Sequence, residues 1–451
     1  SSGSRGVYGA IGTAGEWGLK RGCAVAYTDK GTGLGVHDLQ ANTVNLIDGR
    51  RADAAAAGKA SNFSAALSDA ARAAFNAATP NRFAVKHAHS QQNPEKDWGR
   101  DTLRAIEFAF YVLNERYSPR TGTGYTVAQI RPHNTLVIAS SVSNGGGAAV
   151  AAAEQDEAGL IDGLAVSEPS VQLAPSGDLR IERGSGPAYD GGSKPLYDYF
   201  SLANLLQPCA ALASGAAGSP FGYAGGTAFV AAHRCASLAA AGLVVGASTA
   251  AQADDALARL RAYGWEPESN LLHASHFLFA TPAIAVTYAN SYGRHSVADN
   301  LCNFSFAAVD GLGAPIPAPA AGVAGIFGNG NGIPPTGPLQ VINNASLGGA
   351  RAHLASISAS GVADFAGDGA LCLRRLWTGS DAAAERVRSG VAEVYRNANL
   401  RGKPAVIVHG RSDTLVPVNH TSRPYYALNK QVDAASRLAY YEVTNAQHFD
   451  A

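Results

Sequence analysis

Methionine is absent from all 451 residues, and no physical account attaches to that absence. Other scarcities exclude whole classes of function. Lys and Arg together number 35 and Asp and Glu number 35, so formal net charge is zero. No block of like charge runs along the chain. Without a basic surplus there is little to attract phosphate polyanions, which sets nucleic-acid binding aside. A membrane span needs about 20 strongly apolar residues in a row. The most apolar stretch without charge, residues 235–252, is rich in Ala, Gly and Ser and poor in Leu and Ile. It reads as a buried helix or strand pair of a soluble domain, and no membrane partner is expected. Cysteine is scarce too: Cys23, Cys209, Cys235, Cys302 and Cys372. No two have the short spacing of a zinc or redox motif. The odd count leaves one thiol free or pairing between chains. Bridges joining Cys209 to Cys235, or Cys302 to Cys372, suit an exported protein, but spacing does not decide between bridge and thiol. The chain opens at Ser1 without an initiator methionine or leader and stops three residues after His448. Any targeting segment is therefore expected outside it, and the expected compartment is extracellular or periplasmic rather than cytoplasmic. Oligomeric state leaves no mark in the sequence.

What is present is globular. Hydrophobic residues make up 46% and charged residues 16%, and the length allows two or three domains with a large core. The run 23–28 (CAVAYT) has strand length. Residues 98–117 repeat apolar groups at helical spacing, with Leu103, Ile106, Phe110 and Leu113 on one face. Residues 135–140 (TLVIAS) and 160–166 read as buried parallel strands, with an Ala-rich helix between them. Residues 405–408 (AVIV) and 438–443 are two more strands, and a helical pattern covers 382–397. From 172 to 365 the chain is rich in Ala, Gly, Ser and Pro. The expected architecture is an α/β-hydrolase fold: a mostly parallel sheet with helices on both faces, plus a large inserted cap domain. The core is expected in two parts, 1–171 and 366–451, with the cap at 172–365.

Three short phrases carry the chemistry. Ser141-Val142-Ser143-Asn144-Gly145-Gly146 lies between an expected strand and an expected helix. A nucleophile elbow needs that setting, because the serine rides a tight turn with small residues two before and two after it. The usual pattern is Gly-x-Ser-x-Gly, so Ser141 departs from it while remaining small. Ser143 is then the nucleophile, and the backbone N–H of Asn144 is the first oxyanion donor. A plain Ser/Gly turn is the competing reading. His409-Gly410-Arg411-Ser412-Asp413 follows a strand, where this fold class keeps the carboxylate that orients a histidine; a helix-capping Asp is the competing reading. His448, in Asn445-Ala446-Gln447-His448, lies beyond the last strand and completes the order Ser, Asp, His. Glu168 also ends a strand and is the alternative acid. Gly3 and Ser4, in the loop before the first strand, are candidates for the second oxyanion donor. His87 and His89 form a His-x-His pair without an evident third ligand, and a surface pair is the favoured reading. His409 is expected under the acid loop, and Asp29 as the cap of the loop after residue 28.

Those phrases together resemble the D-(−)-3-hydroxybutyrate oligomer hydrolases. SSGSRGVYGAIGTAGEWGLKRGCAVAYTDKGTG, KHAHSQQNPE, ASSVSNGG, HGRSDTLVP and NAQHFDA carry the resemblance, which covers nearly the whole chain including the insertion. It implies ester hydrolysis of short 3-hydroxybutyrate oligomers to monomer, with the family's active serine falling on Ser143. The substrate is then a small ester, and no metal or organic cofactor is expected. TDKGTG also looks like tannases and feruloyl esterases. Those carry a cysteine just before the nucleophile and another before the histidine; here Ser141 and Gln447 stand near those places, which argues against that branch. A related polyester or aromatic esterase, and a hydrolase-fold binding protein without catalysis, are the remaining alternatives.

Overall fold

The computed structural model describes residues 11–33, 35–183, 188–189, 192–217, 227–272, 276–329 and 333–448. The chain divides into two compact units. One comprises Ser1–Gly31, Pro94–Leu196 and Val394–Ala451; the other comprises Thr32–Asn93 and Tyr197–Glu393.

The first unit is built on four strands: β1 (Ile138–Val142), β2 (Gly163–Ser167), β3 (Pro404–Gly410) and β4 (Arg437–Val443). Their spatial order is β4-β3-β2-β1, and every pairing is parallel. Parallel neighbours need a crossover, and helices supply it. Helix α2 (Ser143–Gln155) links β1 to β2, and α3 (Ser422–Val432) links β3 to β4, while α1 (Trp98–Tyr117) precedes the sheet. Strands from both sides of the long excursion sit side by side, with Ala165 paired to Val406. The four expected strands and the 98–117 helix are all present within a few residues of their expected ends.

Packing explains the composition of α2, SNGGGAAVAAAEQ, which is buried along almost its whole length. Ala keeps the helix favourable and narrow. A methyl group at Gly147 would overlap the Ser170 carbonyl, and one at Gly99 of α1 would lie 2.7 Å from the Ala151 methyl. The helix can therefore lie close to its neighbours only because side chains are missing there. Val150, Leu164, Val166, Ile407, Tyr425 and Leu438 form the core around it, with Leu103 and Ile106 of α1 packed against them. One expected strand is absent. Residues 23–28 have no regular structure and are exposed or half-buried. An apolar run forms a strand only where a ladder partner and a burying layer meet it, and among the described residues none does.

The second unit holds an antiparallel sheet of eight strands. Arg351–Ala352, Leu339–Asn343, Phe304–Val309, Phe83–Val85, Val36–Asp38, Thr43–Asn45 and Arg51–Asp53 follow in spatial order, and Pro315–Ile316 pairs with Phe304–Val309. The molecule is thus α/β, but a mostly parallel sheet describes only the first unit. The unit boundaries also differ from the expected insertion at 172–365. Residues 172–196 stay with the parallel sheet, while 366–393 and Thr32–Asn93 join the second unit. Long-range pairing is the reason. Phe83 pairs with Phe306 across the antiparallel sheet, and the buried Arg82 guanidinium donates to Ser305 Oγ at 2.8 Å and Asn344 Oδ1 at 2.7 Å. Helix Ala382–Ala392 lies so close to helix Thr281–Gly293 that a methyl group at Gly390 would overlap the Tyr292 carbonyl.

Two disulfides tie this unit, Cys209–Cys235 and Cys302–Cys372, and Cys23 is an exposed thiol. A cross-link stabilises chiefly by restricting the unfolded chain, more so for a longer loop. Their sequence separations are 26 and 70 residues. Replacing Cys302 and Cys372 by Ala should therefore cost about 4 kcal/mol, and replacing Cys209 and Cys235 about 3 kcal/mol. Denaturant midpoints of the two double variants, measured without reductant, test this; indifference to both replacements would refute it.

Candidate active site

Strand β1 ends at Val142 in extended backbone, and Ser143 immediately turns left-handed, with φ of 58°. That conformation costs a non-glycine residue about 1 kcal/mol or more and persists only where the surroundings over-determine it. Here they do. The Ser170 N–H donates to the Ser143 carbonyl at 2.9 Å, and α2 starts at Ser143 itself. The turn leaves the hydroxyl at the carboxyl end of β1 and places the N–H of Asn144 in the first helical turn. The close approach falls on Gly146 and Gly147, which face Pro169 and Ser170.

Strand β3 ends at Gly410, where a methyl group would meet the Gln447 carbonyl oxygen at 2.5 Å and the Ala446 one at 2.7 Å. The acid loop and the histidine loop therefore lie against each other. Ser412 N–H donates to the Ala446 carbonyl at 3.0 Å, and Arg411 N–H to that of Val443 at 2.9 Å. In this frame His448 Nδ1 stands 2.7 Å from Asp413 Oδ2, and His448 Nε2 stands 2.9 Å from Ser143 Oγ. A carboxylate only accepts, so Nδ1 carries the proton and Nε2 is left to accept from the serine hydroxyl. Ser143, Asp413 and His448 are thus brought together, all three buried.

Asp413 is held on every side. Its Oδ1 accepts the N–H groups of Leu415 at 2.7 Å and Val416 at 2.9 Å. Burial opposes its ionisation, but the favourable electrostatics of His448 and hydrogen bonds from His409 and His448 outweigh burial and hold the carboxyl well below the usual range. His409 lies under the acid loop. Its Nε2 is 2.8 Å from the Val416 carbonyl, so that nitrogen carries the proton, and Nδ1 accepts from Ser422 Oγ at 2.7 Å. The same Nε2–H is 3.3 Å from Asp413 Oδ2.

The other candidates fall elsewhere. The Glu168 carboxylate is buried and accepts the Gly410 N–H at 3.2 Å. Gly3 and Ser4 lie outside the described residues. Asp29 accepts the Gly31 N–H at 2.6 Å and so caps its loop. His87 and His89 are not a surface pair: both are buried in the second unit, on the short helix Lys86–His89. His87 packs edge-on against Tyr288, and His89 Nδ1 accepts the Val85 N–H at 3.1 Å. Burial drives the His89 pKa down to about 3, so its ring is neutral. The turn following strand Phe83–Val85 carries both rings inward, which a His-x-His pattern alone does not disclose. Among the described residues no group of three His, Cys, Asp or Glu is placed to hold a metal.

Two features escape a reading of the sequence. Glu442 of β4 binds Arg423 through two contacts, 2.6 and 2.7 Å, and Arg411 at 2.9 Å, tying α3 and the acid loop to the last strand. Burial opposes its charge, but Arg423 outweighs burial and brings the carboxyl to about 2. No spacing rule links these residues; the β3–β4 register does. The second is a cleft along the start of α2, lined among others by Asn144, Gly147, Ser170, Glu95, Trp98 and Arg396.

Comparison with known proteins follows the same lines. The sequence model of the family described as 3HB-oligomer hydrolase (3HBOH) matches residues 1–451. The chain is 62% identical over 458 aligned positions to the D-(-)-3-hydroxybutyrate oligomer hydrolase of Polaromonas naphthalenivorans (strain CJ2), covering 100% of this chain and 64% of that protein. Against the protein of the same name from Azoarcus sp. (strain BH72) the values are 61% over 453 positions, 100% and 64%. For one from Ralstonia pickettii they are 55% over 456 positions, 100% and 63%. The chain thus spans just under two thirds of the length of the curated relatives it matches. No solved structure matches it. On the full-length match and these identities, the chain belongs to the 3HB-oligomer hydrolase family.

Proposed function

We propose that the chain is a serine esterase of the α/β-hydrolase type that cleaves short 3-hydroxybutyrate oligomers to monomer through an acyl-enzyme. The observation that carries this reading is the hydrogen-bonded series Asp413, His448, Ser143, with both distances under 3 Å. The order of those residues along the chain, each after a parallel strand, supports the hydrolase fold. The substrate comes from the family, whose named members act on 3-hydroxybutyrate oligomers.

In this reading His448 Nε2 takes the hydroxyl proton as Ser143 Oγ attacks the ester carbonyl carbon. Asp413 keeps the imidazole in the tautomer that leaves Nε2 as acceptor, and stabilises the imidazolium that forms. The Asn144 N–H, at the start of α2, faces the developing oxyanion. His448 then returns the proton to the leaving alkoxide as the ester C–O bond breaks. Water repeats the sequence on the acyl-enzyme and restores Ser143. The paired cysteines favour an oxidising compartment, so the proposal places the protein outside the cytoplasm.

Ser143→Ala should lower turnover of p-nitrophenyl butyrate and of 3-hydroxybutyrate dimer by about 10³-fold or more, with the thermal midpoint nearly unchanged. Retained activity, or an equal loss in Ser141→Ala alone, would remove Ser143 from its role. A serine-directed phosphonate should label Ser143, as peptide mapping by mass spectrometry would read.

Asp413→Asn should cost about 10³-fold or more in kcat, because the amide no longer favours the productive tautomer. Glu168→Gln, which alters a side chain bound to the Gly410 amide, should cost less than about tenfold. Steady-state kinetics of the two variants decide the acid: the reverse order would transfer the role to Glu168.

A further inference from the structure

Arg396 is the one cation among the named residues of the cleft along α2. Its side chain is only 9% exposed. Its backbone is fixed, since its N–H donates to the Gln172 carbonyl at 2.8 Å and Tyr395 forms a parallel bridge with Gln172. Its Nε is used by the Val394 carbonyl at 2.9 Å. The two terminal nitrogens are not used in that way. The nearest carboxylate, Glu154 Oε2, is 3.9 Å from one of them, beyond hydrogen-bond reach, and among the described residues no acceptor bonds either. Glu154 is itself satisfied by the Ala398 N–H at 2.8 Å and the Tyr425 hydroxyl at 3.0 Å. A guanidinium nine-tenths buried, with its fork unsatisfied and a cleft before it, is a site prepared for a planar anion. The cleft's other named charge, Glu95, is paired with Lys30 at 3.0 Å, so it does not cancel Arg396.

The cleft reaches Asn144, next to Ser143. A 3-hydroxybutyrate oligomer ends in a carboxylate, which stands one hydroxybutyrate unit beyond the last ester carbonyl, on the alcohol side. We propose that Arg396 binds this terminal carboxylate and so directs hydrolysis to the last ester bond. The inference rests on the esterase reading above. Attack by Ser143 Oγ on the last ester carbonyl breaks its C–O bond, and His448 protonates the alkoxide. The released alcohol is the carboxyl-terminal monomer, and the shortened oligomer stays as the acyl group until water displaces it. The enzyme then works from the carboxyl end and needs a free acid there. Arg396 acts in binding and orientation and takes no part in the proton transfers.

The test compares 3-hydroxybutyrate dimer as free acid with its methyl ester, for the unaltered protein and for Arg396→Gln and Arg396→Lys, with p-nitrophenyl butyrate as a carboxylate-free control. The unaltered protein should prefer the free acid by about 10- to 100-fold in kcat/KM, the range a charge-assisted hydrogen bond supplies. Arg396→Gln should raise KM for the acid by a similar factor while leaving the methyl ester and the control within about twofold. Arg396→Lys should recover part of the loss, as a point charge without the fork. Equal turnover of acid and methyl ester by the unaltered protein overturns the inference even if the variants fail to fold. So does a parallel loss on all three substrates in a folded Arg396→Gln. Absence of hydroxybutyrate hydrolysis alongside active control turnover sinks the substrate reading itself, and the anchor with it.

Discussion

The first unit depends on one close approach, that of helix α2 to the chain beside it. Gly147 admits the Ser170 carbonyl, Gly146 admits Pro169, and Gly99 lets α1 lie against Ala151. A single methyl group at Gly147 would force the segment after β2 away from the helix. That same segment donates the Ser170 amide to the Ser143 carbonyl and so holds the left-handed turn. The strain at Ser143 is small beside the burial it accompanies, because nearly every residue of α2 adds to the core. Losing the approach would release the turn and move the hydroxyl away from His448.

The second constraint is electrostatic. A carboxylate as buried as Asp413 would ordinarily take up a proton. It is kept ionised by four donors on two oxygens: two amides at Oδ1, and the two histidines at Oδ2. His409 resembles a second partner for the acid, yet its proton is shared with the Val416 carbonyl and its other nitrogen is taken by Ser422. It fixes the acid and is not itself available to Ser143. The division of labour between two histidines on one carboxylate follows from what each ring's other nitrogen touches.

The first unit was largely legible in the sequence, and the reason is specific. The parallel strands contain continuous apolar runs such as AVIV, in which Ala405 and Ile407 are buried and Val406 is exposed, and the residues proposed for catalysis sit at their carboxyl ends, so strand and motif are found together. Asp413 and His448 needed only that order. The second unit was less legible. Its strands are short, Phe83–Val85 and Val36–Asp38 among them, and one pairing, Phe83 with Phe306, spans more than two hundred residues. Nothing local marks a three-residue strand whose partner is so distant, so Thr32–Asn93 was read with the core. Residues 23–28 erred the other way: the composition suits a strand, but pairing decides. The setting of Arg396 is hidden from the sequence for the same reason, since it is fixed by what surrounds the side chain in space.

The cleft beside Asn144 has a topological cause. The first unit is interrupted twice, by Thr32–Asn93 and by Tyr197–Glu393. Each interruption needs its flanking residues held together, and the entropy of closing a loop grows only slowly with its length, so a few well-placed contacts suffice. Lys30 and Glu95, just outside the first interruption, form a buried ion pair. A buried pair of this kind is weak support for stability, but it fixes geometry. At the second, Gln172 bridges Tyr395 and accepts the amide of Arg396, shortly after the chain returns at Val394. Within the second unit the ends of its two segments also meet, where Asn93 Nδ2 donates to Glu393 Oε2 at 2.9 Å. Glu95, Gln172 and Arg396 all line the cleft. The contacts that close the two interruptions therefore converge beside the start of α2. Insertion of further chain at these points leaves the parallel sheet intact and gathers polar side chains held by those contacts along the cleft that reaches Asn144.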